Sequence, residues 1–357
     1  MERLKPMERG RRIACLLAGA WRSNVPPLAC SWADLRPIVP LAIRGGAAGL
    51  AWHKIAIRPP ADDGEVEALR NAARQTRLGS FLMTSRLIEL SKRLDSARID
   101  AVLSKGWSVA RFYPESGIRT LGDIDLHVPK EQFERLRSAL EESEHLSSLV
   151  DLHHNYPDLG NATLEEMQPF TRSLALGDVS LRILADEELL RLVCLHFARH
   201  GGFRPLWLCD VATIVESVPG SFDWDRCLGN SAFGGDWVRA VVGLAGRLLH
   251  ARVPMEIDPG PTHWLDRVVL AEWGQTEAGD SHSRDPLPMS AHLRSPRSLG
   301  AAVLKRLPNA MEAAIKTGRG PARPGRFNST WTYALRRLRR WLRPRTAFAG
   351  LNIHRDD

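Results

Sequence analysis

Seven residues, Gly122-Asp123-Ile124-Asp125-Leu126-His127-Val128, restrict this chain more than any other stretch. Polar and apolar side chains alternate, and a period of two marks a β-strand buried on one face. Asp123, Asp125 and His127 then share one side of the strand, and Ile124, Leu126 and Val128 point the other way into a core. Two carboxylates on one face repel each other and lose solvation on burial, a conflict that a divalent cation resolves. Mg²⁺ is a hard ion that takes one or two carboxylates plus substrate phosphates, so the pair suits a nucleoside triphosphate site. An acidic turn facing solvent at a strand end is the competing reading of Asp-x-Asp alone.

Upstream, residues 8–60 read as short helices broken at Pro26-Pro27, Pro37, Pro40 and Gly45-Gly46 and ending at Pro59-Pro60. A long packing helix is predicted over 65–97, with Leu69, Ala73, Leu78, Leu82, Leu87, Ile88 and Leu94 near helical spacing. Residues 98–103 then read as a strand that delivers Lys105-Gly106 to the start of a short helix. Glycine allows close backbone approach and a helix N-terminus offers free N–H donors, which suits a phosphate, with Lys105 as a point charge. A solvated lysine in a turn is the plainer alternative. Tyr113-Pro114 is expected to end the helix. Arg119 either forks onto phosphate oxygens or pairs with Asp123 or another carboxylate to hold the loop.

Downstream, a helix is predicted over 130–143 and a strand over 147–154, whose alternation puts Asp151 and His153 on one face. His127, His153 and His154 lack the fixed spacing of a transition-metal site, so a hydrogen bond from His153 to a carboxylate or to substrate is expected instead. Val179 to Leu184 reads as a further strand, followed by a helix capped at Asp186. His196 and His200, one turn apart near the end of that helix, are read as satisfied histidines rather than metal ligands. Helices over 204–215 and 235–250 follow, with Asp210 expected to pair with His200 or Arg204.

The segment LSKGWSVARFYPESGIRTLGDIDLHV resembles the core of an uncharacterised bacterial nucleotidyltransferase family within the polymerase-β-like superfamily. Lys105, Gly106, Tyr113, Pro114, Arg119, Gly122, Asp123 and Asp125 stand at matching positions, and the similarity extends weakly over about residues 30–250. His127 departs from a position that is usually apolar. The resemblance implies an α+β fold: a small mixed β-sheet core flanked by helices, with a helical N-terminal layer and a helical C-terminal part. It also implies an Mg²⁺-dependent transfer of a nucleoside monophosphate to an acceptor hydroxyl with release of pyrophosphate. Asp123, Asp125 and Asp151 would be the catalytic residues and hold two Mg²⁺ ions. Lys105, Gly106, Ser108, Arg119 and Gly122 would bind the nucleoside triphosphate, ATP being the expected donor. A peptide, a protein, a small molecule such as a natural-product precursor, or RNA is permitted as acceptor.

Domain limits are expected at 1–97 for the N-terminal helical region, 98–185 for the catalytic core and 186–254 for a helical wall of the cleft. A loop-rich region over 255–325, interrupted by a helix near 301–317, and a basic amphipathic helix and tail over 326–357 complete the chain. Charge sets the tail apart. Ten basic and no acidic residues lie between Lys316 and Arg345, and taking those ten from the net +8 leaves the remainder at −2. Residues 326–345 are therefore expected either to contact an anionic surface, membrane or nucleic acid, or to dock their apolar stripe on the protein itself. A binding protein that keeps nucleotide affinity without transfer, or one that acts through its tail, are the rival readings. Ile13 to Ala20 superficially resembles a signal peptide, but glutamates in the leading segment favour a first amphipathic helix. Cys15, Cys30, Cys194, Cys209 and Cys227 show no C-x-x-C spacing, so neither zinc nor a disulfide framework is expected, and the reading is cytoplasmic with possible peripheral membrane contact.

Overall fold

The computed structural model describes residues 4–275 and 308–322, except Asp62, Glu142, Asn230 and Ser231. Four helices, α1 (Pro6–Leu17), α2 (Trp32–Leu35), α3 (Val39–Arg44) and α4 (Ala48–Ile55), form the N-terminal layer. On α1 the apolar residues Ile13, Leu16 and Leu17 are fully buried, as an amphipathic helix requires. Long helix α5 (Gly64–Ser96) starts where the Asp63 carboxylate accepts from the amides of Glu65 and Val66. Its first turns pack through Leu69 on the helical core, and its last through Met83, Leu87, Leu90 and Leu94 on the sheet. Leu78 and Leu82, expected inside, are about half exposed along with Phe81, because this part of α5 spans the gap between the two cores.

Then come β1 (Val102–Leu103), α6 (Gly106–Ala110), β2 (Ile124–His127), α7 (Phe133–Glu141), α8 (Glu144–Ser147) and β3 (Val150–His153). A two-stranded ribbon, β4 (Asn155–Tyr156) with β5 (Ala162–Thr163), leads to α9 (Leu164–Met167) and the hairpin β6 (Thr171–Leu176) and β7 (Val179–Leu184). The main sheet has the order β3-β2-β1-β7-β6, with β2 parallel to β3, β1 parallel to β7, and the β1–β2 and β6–β7 pairs antiparallel. This is the mixed sheet with flanking helices of an α+β fold. Ile124, Leu126, Val128, Val150 and Leu152 cover one face together with α5 and α7 residues, so the other face is left to the polar set.

Three strand expectations change. The strand foreseen at 98–103 shortens to Val102–Leu103, because α5 closes with the Ile99 amide on the Leu94 carbonyl and Arg98 at φ 50°. The strand foreseen at 147–154 starts at Val150, since Glu144–Ser147 turns as a short helix. Strand β6 was not foreseen, and it pairs along its whole length with β7.

Helices α10 (Asp186–Arg199), α11 (Pro205–Ser217), α12 (Trp224–Leu228), α13 (Ala232–Leu249) and α14 (Trp264–Trp273) build the C-terminal part. Asp186 sits inside the first turn of α10, with Ala185 at the cap position. Within the stretch expected to be loop-rich, α14 is a packed helix with Leu265, Val269, Leu270 and Trp273 buried, and the Trp273 indole donates to the Gly202 carbonyl at 2.8 Å. It lies so close to α1 that a Cβ on Gly10 would stand 1.9 Å from the Leu270 carbonyl oxygen. A helix at Ala310–Lys316, capped by Asn309, is the described part of the one foreseen at 301–317. The basic helix of the tail lies outside the described residues.

The cysteines need a correction. Cys15 and Cys30 form a disulfide with Cα atoms 6.6 Å apart, while Cys194, Cys209 and Cys227 are free and buried. The turn after α1 folds residue 30 back on the helix, a proximity that spacing in sequence does not reveal.

Candidate active site

Parallel pairing of β2 with β3 sets Asp125 beside Asp151 and His127 beside His153. Strand alternation turns all four to the same face, with Asp123 one step before the strand. Asp125, Asp151 and His153 bring one ligand atom each to within 4.8 Å of one another, a cluster that can hold a metal ion. His153 Nε2 lies 3.5 Å from Asp125 Oδ1 and 3.4 Å from Asp151 Oδ2, the carboxylate partnership foreseen for it. Burial disfavours the His153 cation, yet the two carboxylates outweigh it and push its pKa up to about 9.

Lys105 completes the centre. Its ammonium lies 2.7 Å from Asp125 Oδ1, and its backbone takes φ 42°, a conformation rarely held by a residue with a side chain. The next residue, Gly106, also has positive φ, and a Cβ there would lie 3.5 Å from the Asp123 carbonyl. The turn thus aims Lys105 across the carboxylates. Helix α6 is only five residues long, so its dipole adds little at this turn. Burial works against the Lys105 charge, but Asp125, Asp158 and Asp123 more than offset it and raise its pKa. Burial would also raise the Asp125 carboxyl, yet Lys105 and His153 hold it well below the usual carboxylate range. Asp123 moves the other way: burial and the neighbouring Asp125 raise it, and Lys105 only partly opposes them. Three carboxylates, those of Asp123, Asp125 and Asp151, thus face the two cations Lys105 and His153, while Asp158 also pairs with Arg199 at 3.6 Å. Two carboxylates and an imidazole with an excess of negative charge around them could hold a metal ion.

Further residues support this face. His127 is buried and neutral, its pKa lowered by burial and by His153 and Lys105. It pairs with Ser104 Oγ at 2.9 Å and with the Asn155 carbonyl at 3.0 Å, and it stacks on Tyr156 with ring centroids 3.8 Å apart. Asp158, in the turn after β4, contacts His196 Nδ1 at 3.0 Å. His196 also packs against His200, with centroids 4.2 Å apart, and is satisfied by Asp158 rather than by that histidine. Three residues between Tyr156 and an unremarkable loop gave no signal for Asp158.

Other expected ligand residues stand apart from the carboxylates. Arg119 is buried and forks onto Asp210, Nε to Oδ1 and Nη2 to Oδ2, both at 2.8 Å. Tyr113 Oη donates to Asp210 Oδ1 at 2.8 Å. Of the two roles open to Arg119, the structure shows the loop-holding one, and the carboxylate is Asp210 of α11 rather than Asp123. Asp210 accordingly belongs to Arg119 and Tyr113, in place of the expected His200 or Arg204. Ser108 is fully buried, and its hydroxyl donates to the Leu103 carbonyl at 3.2 Å, stitching the turn instead of facing a ligand. Gly122 has open space where a Cβ would stand, so close approach does not explain it.

Residues 32–233, more than half of the chain, match the family described as uncharacterised nucleotidyltransferase. The chain belongs to this family. The matched span contains every residue of the carboxylate cluster together with Lys105 and the Arg119–Asp210 pair. Among solved structures, an antigenic nucleotidyltransferase-like protein from Paracoccidioides brasiliensis is similar at 15% identity and a TM-score of 0.34, over 51% of this chain and 94% of that one. A likeness of that size carries no argument about fold or function. No curated protein matches the chain.

Proposed function

We propose that this chain is a nucleotidyltransferase that moves a nucleoside monophosphate from a nucleoside triphosphate, ATP being the first candidate, to an acceptor hydroxyl. The observation that carries the reading is the register of β2 on β3, which sets Asp125 beside Asp151 under the Lys105 ammonium. Asp123, Asp125 and Asp151 would hold Mg²⁺, which when bound supplies charge stabilisation at the phosphoryl oxygens. His153 lies within reach of the same two carboxylates and orients them.

In the transfer, a bond forms between the acceptor oxygen and the α-phosphorus while the bond to the oxygen bridging to the β-phosphorus breaks, and pyrophosphate leaves with the electron pair. Asp151 takes the acceptor proton, being less buried than Asp125 beside it, with 22% against 8% of its side chain exposed. His153 is unsuited to that task at neutral pH because it is already protonated. Lys105 would place its charge on the triphosphate. The acceptor class extends to peptides, proteins, small molecules and RNA.

The test measures pyrophosphate release from each of the four nucleoside triphosphates with Mg²⁺, in host lysate as the source of acceptor. Wild type is compared with the near-isosteric Asp123→Asn and Asp125→Asn variants. Release by wild type that falls by about three orders of magnitude in either variant supports transfer, on the scale of losing a group that stabilises the transition state. Release that survives both substitutions places the chemistry elsewhere.

A further inference from the structure

A second concave site lies away from the strands. Helix α1, the turn after it, helix α4 and the end of α13 enclose a pocket of about 530 Å³, within the size range of small-molecule sites. Lys54 of α4 lines it and is only 4% exposed. Its ammonium donates to the Ala18 carbonyl at 2.5 Å, and among the described residues no carboxylate stands within ion-pair distance of it. A buried ammonium held by a single neutral oxygen has given up hydration without recovering it from a counter-charge.

The other cations on the pocket wall are already spent. Arg22 forks onto Glu216 at 2.8 and 2.5 Å, Arg247 onto Asp266 at 3.0 and 2.8 Å, and Arg11 reaches Glu8 at 3.4 Å. Among the described residues no aspartate or glutamate lines the pocket, and His250 turns its backbone carbonyl to Arg22. The remaining surface is apolar, from Ala14, Ala18, Pro26, Leu248 and Leu270. One uncompensated positive charge beside an apolar wall calls for one negative charge on an apolar body.

We infer that this pocket binds a small organic carboxylate, its head group on the Lys54 ammonium and its hydrocarbon part against Ala18, Pro26, Leu248 and Leu270. The Cys15–Cys30 disulfide ties the 26–29 segment of the wall to α1, so the pocket has a fixed rim. A phosphate monoester dianion brings one charge more than Lys54 offsets and is the poorer ligand. None of the pocket residues belongs to the carboxylate face of the sheet, so the site stands whether or not the chain transfers nucleotides.

The experiment is calorimetric titration of the full chain with octanoate at pH 7, with octanol and octyl phosphate as comparison ligands. Saturable octanoate binding, weakened at least about tenfold by Lys54→Met and absent for octanol, is the expected result. The substitution removes a buried charge, so folding is expected to persist, and a melting curve checks it. Leu248→Trp, which fills the apolar wall and leaves Lys54 in place, is expected to abolish octanoate binding independently. Equal octanoate affinity in wild type and both variants, octanol binding as well as octanoate, tighter binding of octyl phosphate, or no saturation by octanoate overturns the proposal.

Discussion

Two acid–base clusters draw on the segment from Lys105 to Asp125, one on its two ends and the other on Tyr113 and Arg119 in between, and they solve the problem of buried charge in opposite ways. At one, Asp210 receives both arms of the Arg119 fork and the Tyr113 hydroxyl, so one negative charge meets one positive and both carboxylate oxygens are occupied. At the other, Lys105 and His153 are shared among Asp125, Asp151 and the nearby Asp123, and negative charge remains in excess by one even with Asp158 answered by Arg199. The first cluster is closed and has nothing left to offer a ligand. The second holds unspent oxygen lone pairs and a carboxyl, that of Asp123, whose pKa is raised by burial first and by the neighbouring Asp125 second. Balance in a buried pair marks a fastener, and imbalance marks a site.

The strongest way to break this contrast is to unbalance the fastener. Asp210→Asn leaves the Arg119 guanidinium buried without a counter-charge, and loss of one partner of such a pair costs about 3–5 kcal/mol. Denaturant unfolding of the variant is expected to show a loss of that size, with any response to divalent cations intact. A cost under about 1 kcal/mol would mean that Asp210 does not hold Arg119, and would return Arg119 to the phosphate-binding role.

The same contrast is sharpened from the other side by adding metal. A cation that binds only the folded chain stabilises it by about 2.7 kcal/mol at a hundred times its dissociation constant. Mg²⁺ is therefore expected to raise the melting temperature of wild type and of Asp210→Asn, and to leave Asp125→Asn unmoved. An imidazole within the donor set favours Mn²⁺ over Mg²⁺. Half-saturation at lower Mn²⁺ than Mg²⁺ concentration, with the difference lost in His153→Gln, would make His153 a ligand rather than an orienting neighbour. A melting temperature indifferent to both ions in wild type would remove the metal reading.

What the sequence revealed follows the same division. Alternation alone placed Asp123, Asp125, Asp151 and His153 on one sheet face, because strand periodicity is local and the register of β2 on β3 carried it across. The partner of Arg119 lies 91 residues away on α11, and no local pattern connects them. Asp158 and the Cys15–Cys30 bridge were hidden for the same reason, each depending on how a loop folds back. Strand β6 is different: Gly177-Asp178 between two alternating runs is a hairpin signal, with Gly177 at φ 62°, and it was there to be read. Leu78 and Leu82 mislead in the opposite direction, since helical spacing fixes a face but not whether anything packs on it.

Lys54 supplies the third case, a buried cation with no carboxylate at all, and pH tests it. Burial, and then repulsion from Arg22, lower its pKa from 10.5 to about 8. Between those values the folded chain holds fewer protons than the unfolded chain, so stability rises with pH across that window. Below pH 8 the full cost of keeping the ammonium inside is present. Lys54→Met removes this cost and gives up the hydrogen bond to Ala18, worth about 1 kcal/mol, so a net gain of about 2 kcal/mol is expected at pH 7. The gain should shrink as pH rises from 8 toward 10 and vanish near the ordinary lysine pKa, and melting curves of both proteins across that range measure it. A gain that does not change with pH would come from packing of the methionine, and would mean that the buried ammonium carries no electrostatic penalty. Octanoate sharpens the distinction, because a carboxylate that neutralises Lys54 stabilises wild type most where the amine is charged, so its effect must fall over the same pH window in which the Met advantage disappears.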